Sequence, residues 1–308
     1  MADPAWLSAH IFYQGSLDLP LTHLVAPLIH ELDMADFGYE YFFLRYWDGG
    51  PHLRLRIRCE PKWHPEVSGR LDAAAERFFA VHPAPDVMSD ADYASLAADL
   101  ARDEGTAPAF PALRPNNSLA YLPYRPELDR YARHTPIHVV EQHFDRSSRI
   151  VLPVISDAVP MAVRLRAALA FYQLAWFSQE PNPRRLARSV RRAGQRTGQR
   201  GGGPIRRTDG LPPANRELTR TTAQMRTLAE RAPHLDGTGT LLAWARETRL
   251  LAAELSGDPD ALGIIHACAH LACNRLGVDT RLEQHLSATA MTGVVGLSAS
   301  SVSSDRSN

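Results

Sequence analysis

Residues 41–59 read YFFLRYWDGGPHLRLRIRC, two apolar-rich runs around the turn Asp48-Gly49-Gly50-Pro51. Such a turn between two strand-like runs is the local signal of a β-hairpin. In the second run His52, Arg54, Arg56 and Arg58 alternate with Leu53, Leu55, Ile57 and Cys59. Strand side chains alternate faces, so one face is apolar and the other a row of cations. In the first run Arg45 shares its face with Phe43 and Trp47. Like charges two residues apart repel unless water screens them or an anion sits among them. The pattern leaves two readings open: a solvated outer face of an antiparallel sheet, or a site for carboxylate or phosphate, which guanidinium groups bind in bidentate fashion. The use of Arg adds little, because Lys62 is the sole lysine of the chain.

Around this hairpin the sequence alternates sheet and helix signals, then turns helical. A strand is expected over residues 6–14 and a helix over 18–31 that must accommodate Pro27. A helix over 65–81, a short one over 90–102 and a strand over 118–124 follow. Beyond Thr135, a plausible N-cap before Pro136, helices are expected over 161–179, 215–231, 238–256 and 259–276, after one whose apolar face runs Ile137, Val140 and Phe144. The expected fold class is α+β, an N-terminal antiparallel sheet-bearing part packed on a C-terminal helical array. One domain is expected over 1–286. An Arg/Gly-rich insert at 184–209 reads as a flexible surface loop rather than a polyanion-binding arm, and the Ser/Ala/Thr-rich tail at 287–308 as disordered.

At 308 residues, with 44% hydrophobic and 22% charged residues and zero formal net charge, the composition is that of a globular protein, with no global pull toward nucleic acid. The three cysteines, Cys59, Cys268 and Cys273, fit no disulfide framework. With no signal peptide and no membrane-length apolar run, a cytoplasmic protein is expected, with no membrane partner.

The run 264–277, IIHACAHLACNRLG, places His266, His270 and Asn274 four apart on one helical face, with Gly277 as stop signal. The histidines read as core residues bonded to carbonyls, as zinc ligands, or as a catalytic acid or base. Zinc fails on geometry: Cys268 points about 160° away from His270, so the set with Cys273 cannot converge on one ion. An imidazole held on a buried helix suits proton transfer near neutral pH.

Three segments together carry a family resemblance: residues 45–48 (RYWD) with 52–56 (HLRLR), residues 124–131 (YRPELDRY), and residues 270–276 (HLACNRL). From residue 6 to about 286 the chain resembles the C-terminal, glutamate-elimination domain of class I lantibiotic dehydratases, which in thiopeptide-type clusters is a separate protein. The resemblance implies removal of glutamate from glutamylated Ser or Thr of a ribosomal precursor peptide, leaving dehydroalanine or dehydrobutyrine. It implies a glutamyl-tRNA-dependent partner dehydratase subunit, no direct tRNA contact by this chain, and neither metal nor organic cofactor. Arg54, Arg56 and Arg130 match the family's functional arginines and His270 its histidine. Arg45, His52 and His266 are the substrate-binding candidates. Where the family usually has Gly-Gly after Arg130-Tyr131, this chain has Ala132-Arg133. A second branch, the thiopeptide pyridine synthases, joins two dehydroalanines in a [4+2] cycloaddition and expels the leader. A non-catalytic subunit that docks peptide or partner is the third reading.

Overall fold

The computed structural model describes residues 3–35, 37–104, 110–197 and 214–304. The fold is α+β: a small antiparallel sheet in the N-terminal part and helices through the rest. Its contacts group into two compact units, residues 1–126 with 151–159, and residues 127–150 with 160–308.

The first unit is built on a four-stranded sheet of order β2-β3-β1-β4, with β1 Ala5–Phe12, β2 Glu40–Tyr46, β3 His52–Cys59 and β4 Ser118–Tyr121. The expected hairpin is β2–β3, paired from Glu40↔Arg58 to Tyr46↔His52. β1 lies on the other side of β3, with Ser8↔Arg56, His10↔Arg54 and Phe12↔His52. Residues directly opposite share a face, so Leu53, Leu55, Ile57 and Cys59 line the apolar face, all 1% exposed or less. The remainder of that core comes from α1 Asp18–Pro20, a π-helical turn Leu21–Val25, α2 Ala26–Asp33 and α3 His64–Val81. Leu24, Leu28, Leu32, Leu71 and Phe78 are buried there. Pro20 lies in the first turn of this continuous helical stretch, where its missing N–H costs little, and Pro27 follows directly on the π-helical turn. Helix α4 spans Asp90–Glu104.

In the second unit α5 Leu128–Tyr131 and α6 Ile137–Ser156 come first; the end of α6 from residue 151 is grouped with the first unit. Thr135 directs its hydroxyl to Asp258 Oδ2 at 2.6 Å. Helix α7, Met161–Gln179, is apolar nearly all round: Phe171, Tyr172, Leu174, Ala175, Trp176 and Phe177 are all buried. A helix of that kind belongs in a core. It is surrounded by α9 Arg216–Arg231, α10 Thr240–Glu254, α11 Ala261–Arg275 and α12 Thr280–Ser304. Gly293 permits one close crossing, since a Cβ there would run into Thr222 and Gln173.

Two expectations for this unit are corrected. The Arg/Gly-rich stretch is helical in its first part, α8 Pro183–Thr197. Asn182 caps it, its Oδ1 accepting from the N–H groups of Arg184 and Arg185, and Leu186, Ala187 and Val190 bury an apolar stripe beneath the exposed arginines. Residues 198–213 lie outside the described residues. The stretch after residue 286 does not stop being structured either: α12 continues through it, with Ala290, Met291 and Val294 buried. Its small residues let helices approach closely, a packing signal that composition alone presents as disorder.

Candidate functional site

In the first unit the cation-bearing sheet face is largely covered and not a solvated surface. His52 is fully buried and Arg56 is 7% exposed. Each guanidinium is braced by aromatic rings. Arg54 Cζ lies 3.3 Å from the Tyr46 ring centroid, and Arg56 Cζ 5.3 Å from that of Phe42 and 4.9 Å from that of Tyr124. Trp6 meets Phe42 and Tyr124 edge-on. Stacking fixes the guanidinium planes before any ligand arrives, so less rotamer entropy is lost on binding. Arg58 is engaged elsewhere, in an ion pair with Glu40 at 2.9 Å.

The structure adds His10 and Arg114 to this face, neither of which the sequence reading singled out. His10 stands opposite Arg54 on β1. Arg114 arrives through the hairpin turn. Gly49 and Gly50 take positive φ values of 85° and 103°, and the Gly49 carbonyl accepts from Arg114 N at 2.8 Å. Asp48, buried in the same turn, accepts from Phe110 N at 3.1 Å and from the Tyr93 hydroxyl at 3.3 Å. A Cβ on Gly49 would meet Arg114 Cγ at 2.8 Å. Arg114 Cζ then lies 5.8 Å from the Phe12 ring centroid and 5.3 Å from that of Phe110. His10 feels all three guanidiniums: burial, then His52, Arg54, Arg56 and Arg114, press its pKa down to about 2. Burial presses His52 down to about 3, against a hydrogen bond to the Gly50 carbonyl that favours its charged form. Both imidazoles are therefore neutral, and the face presents guanidinium charge, the setting for a carboxylate or a developing oxyanion.

Arg45 is not brought to this face. It stands opposite Leu53, on the other side of the sheet, and pairs with Asp18 at 2.5 Å.

In the second unit His270 is held by a carboxylate. Its Nδ1 lies 2.6 Å from Glu283 Oε1, to which the buried Tyr172 hydroxyl also donates. The local sequence explains the pair. At the end of α11 Gly277 takes φ 78° and its N–H bonds the Asn274 carbonyl. Asp279 then caps α12, its Oδ1 accepting from Arg281 N and Leu282 N at 2.9 Å each. One turn into α12, Glu283 faces back to α11. Its carboxylate can accept a hydrogen bond from Nδ1–H, which leaves Nε2 as the ring nitrogen not engaged by Glu283. The His270 side chain is 27% exposed and that of Glu283 is 8% exposed, so the imidazole is reachable while its anchor is covered. Glu283 escaped sequence reading because no helix was assigned to carry it, with Gly277 as a stop and Asp279 as a cap the available signals; Tyr172 lay on the expected helix 161–179, and only packing gives it Glu283 as a partner.

His266, one turn earlier, is buried with its ring 5.2 Å from that of Tyr172 and 5.9 Å from that of Trp176. The opposite side of α11 is a different environment. Cys268 there is pushed by burial up to about 12, and it interacts with Arg130 and with the fully buried Arg275. Arg130 thus groups with Tyr131, Glu127 and Cys268 rather than with the His270–Glu283 pair. Its carboxylate partner Glu127 is at 3.4 Å. Ala132, where the resembled family has glycine, takes φ −136°, which any residue adopts. Among the described residues no three His, Cys, Asp or Glu side chains gather to hold a metal ion.

The family model for Lantibiotic biosynthesis dehydratase C-term matches residues 6–292. The chain belongs to that family. No curated protein matches it by sequence. Among solved structures, the dehydratase C-terminal chain is similar to the pyridine synthase TbtD from thiomuracin biosynthesis, at TM-score 0.70 and 17% identity, over 96% of this chain and 99% of that one. It is similar to TsrL at TM-score 0.54 and 17% identity, over 96% and 98%. The tRNA-dependent lantibiotic dehydratase MibB from Microbispora sp. 107891 gives TM-score 0.54 and 15% identity; all of this chain aligns, to 29% of MibB. At these identities the likeness is one of fold. No described helix is long and apolar enough to cross a membrane.

Proposed function

We propose that this protein is the elimination component of a ribosomal-peptide dehydration system, a lyase that releases glutamate from glutamylated Ser or Thr. The observation that carries the reading is the His270–Glu283 pair, an imidazole oriented by a buried carboxylate with Nε2 left for proton transfer. In the proposed step the proton on the substrate Cα passes to His270 Nε2. The electron pair of that bond forms Cα=Cβ, the Cβ–O ester bond breaks, and glutamate departs as a carboxylate. Charge develops on the adjacent amide oxygen and on the leaving group, and guanidinium groups stabilise both. Arg54 and Arg56 suit that role, supported by the aromatic bracing that fixes them and by Arg114 beside them. Arg130 is assigned to the same anionic role on family resemblance, and His52 and His266 support neighbouring groups. The partner would be a subunit that glutamylates the peptide from glutamyl-tRNA, in keeping with the tRNA-dependent dehydratase whose fold this chain shares over part of its length.

A second reading is favoured by a specific observation, the fold likeness to a pyridine synthase over nearly both whole chains. There a multiply dehydrated peptide would be cyclised and its leader expelled. The arginine face speaks for elimination, because a glutamyl ester carries a carboxylate and a dehydroalanine does not. Mass spectrometry of a glutamylated peptide treated with His270→Ala tests the assignment. Persistence of the glutamyl adducts is expected, and unchanged dehydration by the variant would overturn it.

A further inference from the structure

The arginine face of the first unit contains one group of opposite character. His52 Nδ1 lies 2.9 Å from the Gly50 carbonyl. A carbonyl only accepts, so that nitrogen carries the proton and His52 Nε2, in the neutral ring, is a bare acceptor. His10 Nδ1 lies 3.1 Å from His52 Nε2 and must therefore be the donor. The remaining nitrogen, His10 Nε2, is left as a lone pair with no hydrogen-bond partner among the described residues. The tautomer is dictated by the backbone at Gly50, two bonds along the chain of donors. Around this acceptor stand the guanidinium groups of Arg54, Arg56 and Arg114, which only donate. Two residues before it on the same face, Ser8 is 4% exposed, and its hydroxyl also has no partner among the described residues. A buried hydroxyl and an imidazole lone pair within a set of cationic donors describe a ligand that is anionic and also carries an N–H.

We propose that His10 Nε2 receives the α-amine of the aminoacyl ester whose carboxylate is bound by Arg54, Arg56 and Arg114, with Ser8 as a further contact. The proposal rests on the elimination reading and makes the site selective for an amino acid ester over a plain acyl ester. The imidazole acts here as a hydrogen-bond acceptor and not as a base. Burial first, then His52 and the three arginines, hold it neutral, and the same surroundings favour a neutral amine, which still has N–H groups to donate.

The test is calorimetric binding of L-glutamate α-methyl ester against monomethyl glutarate, which has the same carboxylate and ester and lacks the amine. The intact protein is expected to bind the amine-bearing ester roughly 10- to 100-fold more tightly. His10→Asn retains an amide near the position that donates to His52 and removes the acceptor, so the two affinities should converge. His10→Gln, whose amide reaches the Nε2 position, should restore part of the preference. Equal affinities in the unaltered protein overturn the proposal, as does an equal loss for both esters in His10→Asn. If neither ester binds the unaltered protein, the anion site itself is refuted and the proposal falls with it. Elimination by His270 is read separately, by mass spectrometry, so the two failures are distinguishable.

Discussion

His270 and Glu283 form the smallest unit on which the proposed chemistry depends. Replacing Glu283 by Gln keeps the volume but removes the carboxylate charge that holds Nδ1–H and puts an NH2 donor in place of one acceptor oxygen. Turnover should fall on the order of 10²-fold, with peptide affinity little changed; steady-state kinetics on a glutamylated peptide would show this, and a purely raised KM would contradict it. At the arginines, Arg54→Lys and Arg56→Lys keep the charge but lose the planar fork and the stacking on Tyr46, Phe42 and Tyr124. Each should weaken glutamyl-ester binding about 10-fold, measured by calorimetry; full affinity in both would remove them from the site. Much of this scale was legible in the sequence. Alternation at 52–58 placed Arg54 and Arg56 on one face, and spacing of four placed His266 and His270 together. The partners Glu283, Tyr172, His10 and Arg114 were not legible, since each comes from another element and only tertiary packing brings it in.

The elements divide by how local their signals are. The β2–β3 hairpin and helices α3, α7 and α11 announce themselves through periodicity and turn residues, whereas α8 and α12 are hidden by composition. The arginines of α8 mask an apolar stripe of three residues, and α12 uses small residues where larger ones would advertise a core. Removing residues 287–308 should cost at least about 3 kcal/mol, because the buried side chains of Met291 and Val294 are lost with them and the core they cover is exposed. Thermal unfolding of the truncated chain checks this, and an unchanged midpoint would contradict the packing. The sheet face and α6 also make stability depend on pH. His10, His52 and His143 have folded pKa values near 2, 3 and 3, well below their ordinary 6.5, with burial the leading cause in each. The unfolded chain therefore binds more protons than the folded one below pH 6.5, so stability is complete above that pH and is lost as pH falls toward 3. Each group contributes up to ~1.4 kcal/mol per pH unit over that window. Urea midpoints should drop steeply from pH 6.5 to 5, and a flat profile would show that these rings are protonated when folded.

At the scale of the whole molecule, the α+β class was readable from the strand and helix signals along the chain, and family membership from three short segments that together mark the hairpin, the stretch 124–131 and the histidine helix. Which reaction the scaffold performs is a question about its sites, since the fold is shared with a pyridine synthase and with part of a tRNA-dependent dehydratase. In the proposed reading, a carboxylate-anchored imidazole and a braced set of arginines favour elimination over cycloaddition. The measurement that tests this most directly is mass spectrometry of a glutamylated precursor peptide after incubation with this protein and no other. The account predicts loss of glutamate from each ester, with dehydroalanine or dehydrobutyrine in its place. Glutamyl adducts that persist, while a multiply dehydrated peptide is cyclised with release of its leader, would contradict it.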